Sequence, residues 1–270
     1  MTVKSIYDLQ AEYREFSKSS GGFDLSCWLP DLSCIRPLIP GELCIVIAST
    51  KAGKSAVCQN IAVAARDQGN VLYFNLELPG YSYYERFLAM FHRKSQLEVE
   101  NIHQPDSKGK CDELSPTKLD HIYTCDKTGI TIDEAHDITV VEMNKRNFSL
   151  VIVDYLGLMR GKGKSVYERT SVIAQGLKRF AKIVNLPVIV VTQRHRTGQD
   201  WDDDIHLHSA RDSGCIEESA QVILGLVRSQ DDESHLIIKI LAQTRGGTDI
   251  VHALFDGPRM RITPWEGDND

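Results

Sequence analysis

Six short apolar runs punctuate the chain from Leu43 onward: LCIVIA (43–48), VLYFNL (71–76), SLVIVDYL (149–156), VIVVTQ (188–193), VILGLV (222–227) and LIIKILA (236–242). Runs of this length, with little polar alternation, suit strands buried on both faces. Amphipathic stretches lie between them and predict helices over 54–67, 82–93, 130–146 and 167–184. Alternating β and α elements predict an α/β fold with parallel core strands. A last strand is expected around 250–262, with Gly257-Pro258 as a turn. Residues 95–120 are polar and broken by Pro105, Gly109 and Pro116, and read as a surface excursion with room for a short helix. Residues 23–40, with Pro30, Pro37 and Pro40, read as irregular wrapping. At the start, Ile6, Leu9 and Tyr13 recur behind a capping Ser5, which predicts a helix over 5–17. Ser17 to Gly22 then reads as a flexible hinge. The expected division is an N-terminal helix and hinge over 1–22 and one large domain over 23–270.

Composition adds limits. The 270 residues carry 31 Lys+Arg against 37 Asp+Glu, a net charge of -6, with 42% hydrophobic residues. These are globular values. The acidic balance argues against coating nucleic acid by bulk charge but permits a local basic groove. Neither a signal-peptide pattern nor an 18-residue apolar run occurs, so a cytoplasmic protein without a membrane span is expected. Seven cysteines, an odd number with no CxxC, suit reduced thiols. Cys111, His121, Cys125 and His136 fit no standard zinc spacing.

The first apolar run leads directly into Ser49-Thr-Lys-Ala-Gly-Lys-Ser55 and then an Ala-rich helix. This is a P-loop, AxxxxGKS, with Ala48 where a first glycine is usual. Successive backbone N–H groups and a helix N-terminus wrap a phosphate, which requires small residues and Gly53. The expected nucleotide-binding set is therefore Ser49, Thr50, Lys51, Ala52, Gly53, Lys54, Ser55 and Ala56. Lys54 is suited to the β- and γ-phosphates and the Ser55 hydroxyl to Mg²⁺. SLVIVD ends on Asp154, placed to hold Mg²⁺ through its water shell. VLYFNLEL delivers Glu77 at a strand's C-terminal edge, where a carboxylate can polarise an attacking water.

These elements, in this order, resemble the C-terminal motor domain of DnaB-type hexameric replicative helicases, a branch of the RecA-like ATPases. The resemblance spans roughly residues 20–263. It rests on PGELCIVIASTKAGKS, VLYFNLEL, SLVIVDYLGLM, LPVIVVTQRHR, ARDSGCIEESAQVILGLVR and AQTRGGT, of which the DYLGLM and SGCIEESA segments are the most specific. It implies an ATP- and Mg²⁺-dependent helicase or translocase that forms a hexameric ring on single-stranded DNA and moves 5'→3', with replication proteins as further partners. By resemblance, Lys54, Glu77, Gln193 and Arg245 carry catalysis: Glu77 as the catalytic glutamate, Gln193 as a polar sensor of the γ-phosphate, Arg245 as an arginine finger reaching the neighbouring subunit's site. Ser55 and Asp154 become the metal residues.

The resemblance also makes Arg211, Asp212, Ser213 and Gly214 a DNA-backbone loop. Lys162 and Lys164, in a Gly-interleaved basic loop beginning at Arg160, are a second DNA candidate, as is Arg194 after the sensor strand. The acidic run Asp200–Asp204 is expected to lie away from DNA. One departure stands out: the family usually has Lys two residues before the finger, and this chain has Gln243. Only about 20 residues precede the motor, so the usual collar domain is not expected and the first helix takes the linker position. Two other functions fit parts of the pattern: a non-helicase RecA-like ATPase whose nucleotide state controls partner assembly, and a nucleotide-binding module without turnover.

Overall fold

A computed structural model describes residues 3–18, 22–104, 114–193, 218–229, 231–244 and 246–267. In chain order the elements are α1 (Ile6–Lys18), β1 (Leu43–Ala48), α2 (Lys54–Ala64), β2 (Asn70–Asn75), α3 (Gly80–His92), α4 (Gln96–Ile102), β3 (Ile122–Cys125), α5 (Ile132–Met143), β4 (Phe148–Asp154), α6 (Val166–Val184), β5 (Val188–Gln193), β6 (Val222–Arg228), β7 (His235–Gln243), β8 (Asp249–Asp256) and β9 (Arg261–Pro264). The strands form one sheet in the order β3-β2-β4-β5-β1-β6-β7-β8-β9. The six from β3 to β6 pair parallel; β6 to β9 pair antiparallel. The sheet is thus mainly parallel and flanked by helices, as the alternating pattern predicts.

Two apolar layers cover it. One face packs on α2, α3 and the 23–38 wrapping, through Phe23, Leu25, Leu32, Val57, Ile61, Tyr83 and Phe87. The other packs on α5 and α6, through Ala135, Ile173, Leu177, Phe180 and Val184. β1 is buried at all six positions, as a central parallel strand should be. Helix starts follow side-chain chemistry. Ser95 with Glu98 opens α4 and Thr131 with Glu134 opens α5, each as a reciprocal capping box.

Three readings need correction. LIIKILA is not buried on both faces: Leu236, Ile238 and Ile240 point inward while Ile237 and Lys239 are half-buried, because β7 is antiparallel with one face partly open. The last apolar stretch is a hairpin of two strands, β8 and β9, turning through 257–260. Residues 95–120 are not purely superficial, since Val99, Leu114 and Leu119 are buried. The edge strand β3 follows them, and four residues are too few to show a period. Helix α1 forms where expected and buries none of its residues; Ile6, Tyr7, Leu9 and Tyr13 are all exposed. No helix among the described residues is long and apolar enough to cross a membrane.

Candidate functional site

Parallel strands end together on one edge, and four of them deliver the residues expected there. Ala48, the last residue of β1, is level with Gln193 of β5, and Asn75 of β2 is level with Asp154 of β4. The loop after β1 is tight: the Ala52 N–H donates to the Ser49 carbonyl at 3.3 Å. Gly53 then turns the chain into α2 with φ +98°, a left-handed conformation that favours glycine. A Cβ at Gly53 would meet nothing within 4 Å, so the mouth of the loop is open.

Three side chains close around this mouth. Lys54 folds back and donates from Nζ to the Ser49 carbonyl at 2.8 Å. Burial pushes its ammonium below the ordinary lysine range, while Glu77 and Asp154 act in the opposite direction. The Ser55 hydroxyl donates to Asp154 Oδ1 at 3.2 Å. Gln193 donates from Nε2 to Thr50 Oγ1 at 2.6 Å, so the expected sensor touches the P-loop directly.

Glu77 is exposed in the turn between β2 and α3. That turn is held from both sides. The Leu76 N–H donates to the Asp154 carbonyl at 2.8 Å, and the Leu78 N–H donates to Asn75 Oδ1 at 3.2 Å. Glu77 is close enough for its charge to act on Lys54, Tyr83 and Tyr155.

The donor set fits a metal-bound nucleotide. A hydroxyl and a carboxylate, Ser55 and Asp154, are the hard oxygen ligands that Mg²⁺ prefers. Asn75, directly beside Asp154, is 1% exposed, and its Nδ2 is a buried donor without a partner. An unsatisfied donor at this depth suits a site completed by an oxygen-rich ligand.

Motif reading alone misses Tyr73, Tyr83 and Asn75. Tyr73 in β2 and Tyr83 in α3 both donate to Asp154 Oδ2, at 2.9 and 2.5 Å. Burial, and then the adjoining Asp154 charge, push both phenols well above the ordinary tyrosine range, so they act as donors. A signal was present: a phenol within an otherwise apolar strand needs a hydrogen-bond partner in the core.

Other expected residues lie elsewhere or outside the described chain. Lys162 lines a groove of about 680 Å³ between α5 and α6 with Arg160, Arg179 and His136; no P-loop residue contributes to it. Lys164 is exposed, and its backbone N–H donates to Glu168 at 2.6 Å. The loop is tethered rather than free, because Arg160 bonds the Gly129 carbonyl and lies 3.4 Å from Glu134. Gln243 donates from Nε2 to the Gly247 carbonyl at 2.8 Å. Gly246 has φ +156°, and a Cβ there would fall 2.4 Å from the Gln243 amide. Arg245, Arg194, Arg211, Asp212, Ser213, Gly214 and the 200–204 run lie outside the described residues.

A P-loop at the edge of a largely parallel sheet, with a carboxylate at the end of a nearby strand, defines a nucleotide-binding α/β domain. Comparison with known proteins gives the family. The model of the DnaB-like helicase C terminal domain matches residues 31–263, and the chain belongs to that family. Among similar relatives, the replicative DNA helicase DnaB of Pasteurella multocida is 32% identical over 83% of this chain and 52% of its own length. The DnaB of Mycoplasma genitalium is 31% identical over 72% of this chain and 44% of its own length. The chain therefore spans about half the length of the curated relatives it matches. Among solved structures, the ATPase domain of G40P superposes with a TM-score of 0.86 at 20% identity, covering 98% of this chain and all of that one. A DnaB-like replicative helicase, solved in a study of its interactions with primase, gives a TM-score of 0.80 at 19% identity, covering 98% of this chain and 68% of that one. The fold is RecA-like.

Proposed function

We propose that this chain is the ATP-driven motor of a ring-forming DNA helicase. The observation that carries the proposal is the convergence of Lys54, Ser55, Asp154, Glu77 and Gln193 on one sheet edge, within a chain of the DnaB-like family. Lys54 exchanges the Ser49 carbonyl for phosphate oxygens. Ser55 and Asp154 hold Mg²⁺, which when bound neutralises charge on the β- and γ-phosphate oxygens. Glu77, exposed and held in its turn, accepts a proton from the attacking water. Gln193, bonded to the P-loop through Thr50, carries the state of the phosphates into β5 and the loop that follows it.

Arg245 completes the site of an adjacent subunit, and Gln243, which donates to the Gly247 carbonyl, stands where the family usually has a second positive charge. Residues 1–22 form the linker: α1 leaves its apolar side chains exposed and docks on a neighbouring copy of the 23–270 motor in a hexameric ring. Single-stranded DNA is gripped by Arg211, Ser213 and Gly214, with Arg194, Lys162 and Lys164 as further contacts. Other replication proteins complete the assembly.

The test is displacement of a strand from forked DNA by the full chain with ATP and Mg²⁺. ATP-dependent unwinding is expected from the wild type and none from Lys54→Ala. Mixing Lys54→Ala with Arg245→Ala subunits should restore part of the activity, since some interfaces then pair an intact Lys54 with an intact Arg245. No unwinding by the wild type refutes the helicase reading; a mixture that stays inactive refutes the shared site.

A further inference from the structure

Asp154 is 1% exposed, and three side chains among the described residues donate to its carboxylate. Ser55 approaches Oδ1 at 3.2 Å, from the P-loop side. Tyr73 and Tyr83 both approach Oδ2, at 2.9 and 2.5 Å, from the core side. The two carboxylate oxygens are thereby made different. One is occupied by two phenol donors; the other carries one hydroxyl and keeps lone pairs for a ligand.

The phenols have little freedom to leave. Tyr73 and Tyr83 are 0% and 1% exposed. Their rings meet edge-on with centroids 5.4 Å apart, and Phe87 packs against them at 6.1 and 6.4 Å. A buried hydroxyl without a partner is costly, so each ring is held to the carboxylate as firmly as the carboxylate is held to it. Tyr83 also sits on α3, the helix that begins at Gly80, three residues after Glu77. Its bond therefore ties the element that follows Glu77 to the strand end that carries Asp154.

We propose that Tyr73 and Tyr83 are positioning residues that clamp Asp154, turning Oδ1 toward Ser55 and the metal side of the nucleotide site. Neither touches nucleotide; both act through Asp154. The inference rests on the reading of this site as a Mg²⁺–nucleotide site. Outer partners of a metal-site carboxylate typically change metal affinity by about 10- to 100-fold when removed, and the pair is expected to act in this range.

The experiment measures binding of a fluorescent ATP analogue to the full chain as Mg²⁺ is titrated, with melting of each protein recorded without ligand. Tyr73→Phe, Tyr83→Phe and the double variant keep the rings and remove only the hydroxyls. The double variant should need roughly tenfold more Mg²⁺ for half-maximal binding, and each single variant less than that. In an Asp154→Asn background the same Phe substitutions should produce no further shift, which a general loosening of the fold would not reproduce. Should the double variant fold poorly, the single variants carry the same comparison. Folded variants that share the wild-type Mg²⁺ midpoint, or a shift that persists undiminished in Asp154→Asn, overturn the clamp alone. A wild-type chain with no Mg²⁺-dependent nucleotide binding overturns the site reading and the clamp with it.

Discussion

Gly53→Ala separates the fold from its nucleotide site. Gly53 has φ +98° and ψ 17° at the start of α2, a conformation that costs a residue with a Cβ about 1–2 kcal/mol. The added methyl meets nothing within 4 Å, so there is no packing clash to add. At about 2–4 °C per kcal/mol for a domain approaching this size, the melting temperature should fall by roughly 2–8 °C. Nucleotide binding should suffer more, because on our reading the open space facing Gly53 receives a phosphate. Losing one hydrogen bond to a charged group, about 1.5–3 kcal/mol, lowers affinity by roughly 10- to 150-fold. Thermal melting without ligand and calorimetric titration with ATP and Mg²⁺ measure the two effects separately. A variant that binds ATP with wild-type affinity refutes the placement of the phosphate. Melting lowered by tens of degrees would show that Gly53 serves the fold rather than the site.

Two other outcomes follow from the packing. Phe180→Ala removes a ring that is 1% exposed in the layer between the sheet and α6; about 3–5 kcal/mol should be lost, read as a large fall in thermal midpoint or in the denaturant midpoint at unchanged slope. His121 bonds the Ala62 carbonyl through Nε2 at 2.9 Å and leaves Nδ1 buried without a partner, and burial lowers its pKa. Because the folded value lies below the unfolded value of about 6.5, this contribution is complete above that pH and lost as pH falls toward the folded value; melting from pH 7.5 to 5 should show the decline, and His121→Asn should flatten it.

Much of this architecture is legible in the residues because it depends on local pattern. LCIVIA followed by GKS places a buried strand, a phosphate loop and a helix in sequence, and Asp154, Glu77 and Gln193 each close an apolar run at a strand end. Parallel strands bring those ends together whatever the intervening chain does. What the pattern conceals depends on distant partners. LIIKILA has the composition of a doubly buried strand, yet only its neighbours β6 and β8 determine that one face stays partly open. The tyrosines of VLYFNL and GYSYYER look like ordinary core and helix residues until Asp154, 81 and 71 positions away, receives their hydroxyls. Gln243 looks like a lost charge, yet its amide donates to the Gly247 carbonyl. Arg160 looks like a free cation in a glycine-rich loop, but Gly129 and Glu134 hold it.

The most direct measurement of the central claim is the ATPase rate of the wild type and of Glu77→Gln, each with and without single-stranded DNA. Glu77 is exposed, so folding and nucleotide binding should persist when its carboxylate becomes an amide. The wild-type rate should rise with DNA, and Glu77→Gln should lose about 10²- to 10⁴-fold of it, the range for removal of a general base. A wild-type rate indifferent to every nucleic acid, or a Glu77→Gln variant that hydrolyses ATP as fast as the wild type, would contradict the motor and its catalytic residue respectively.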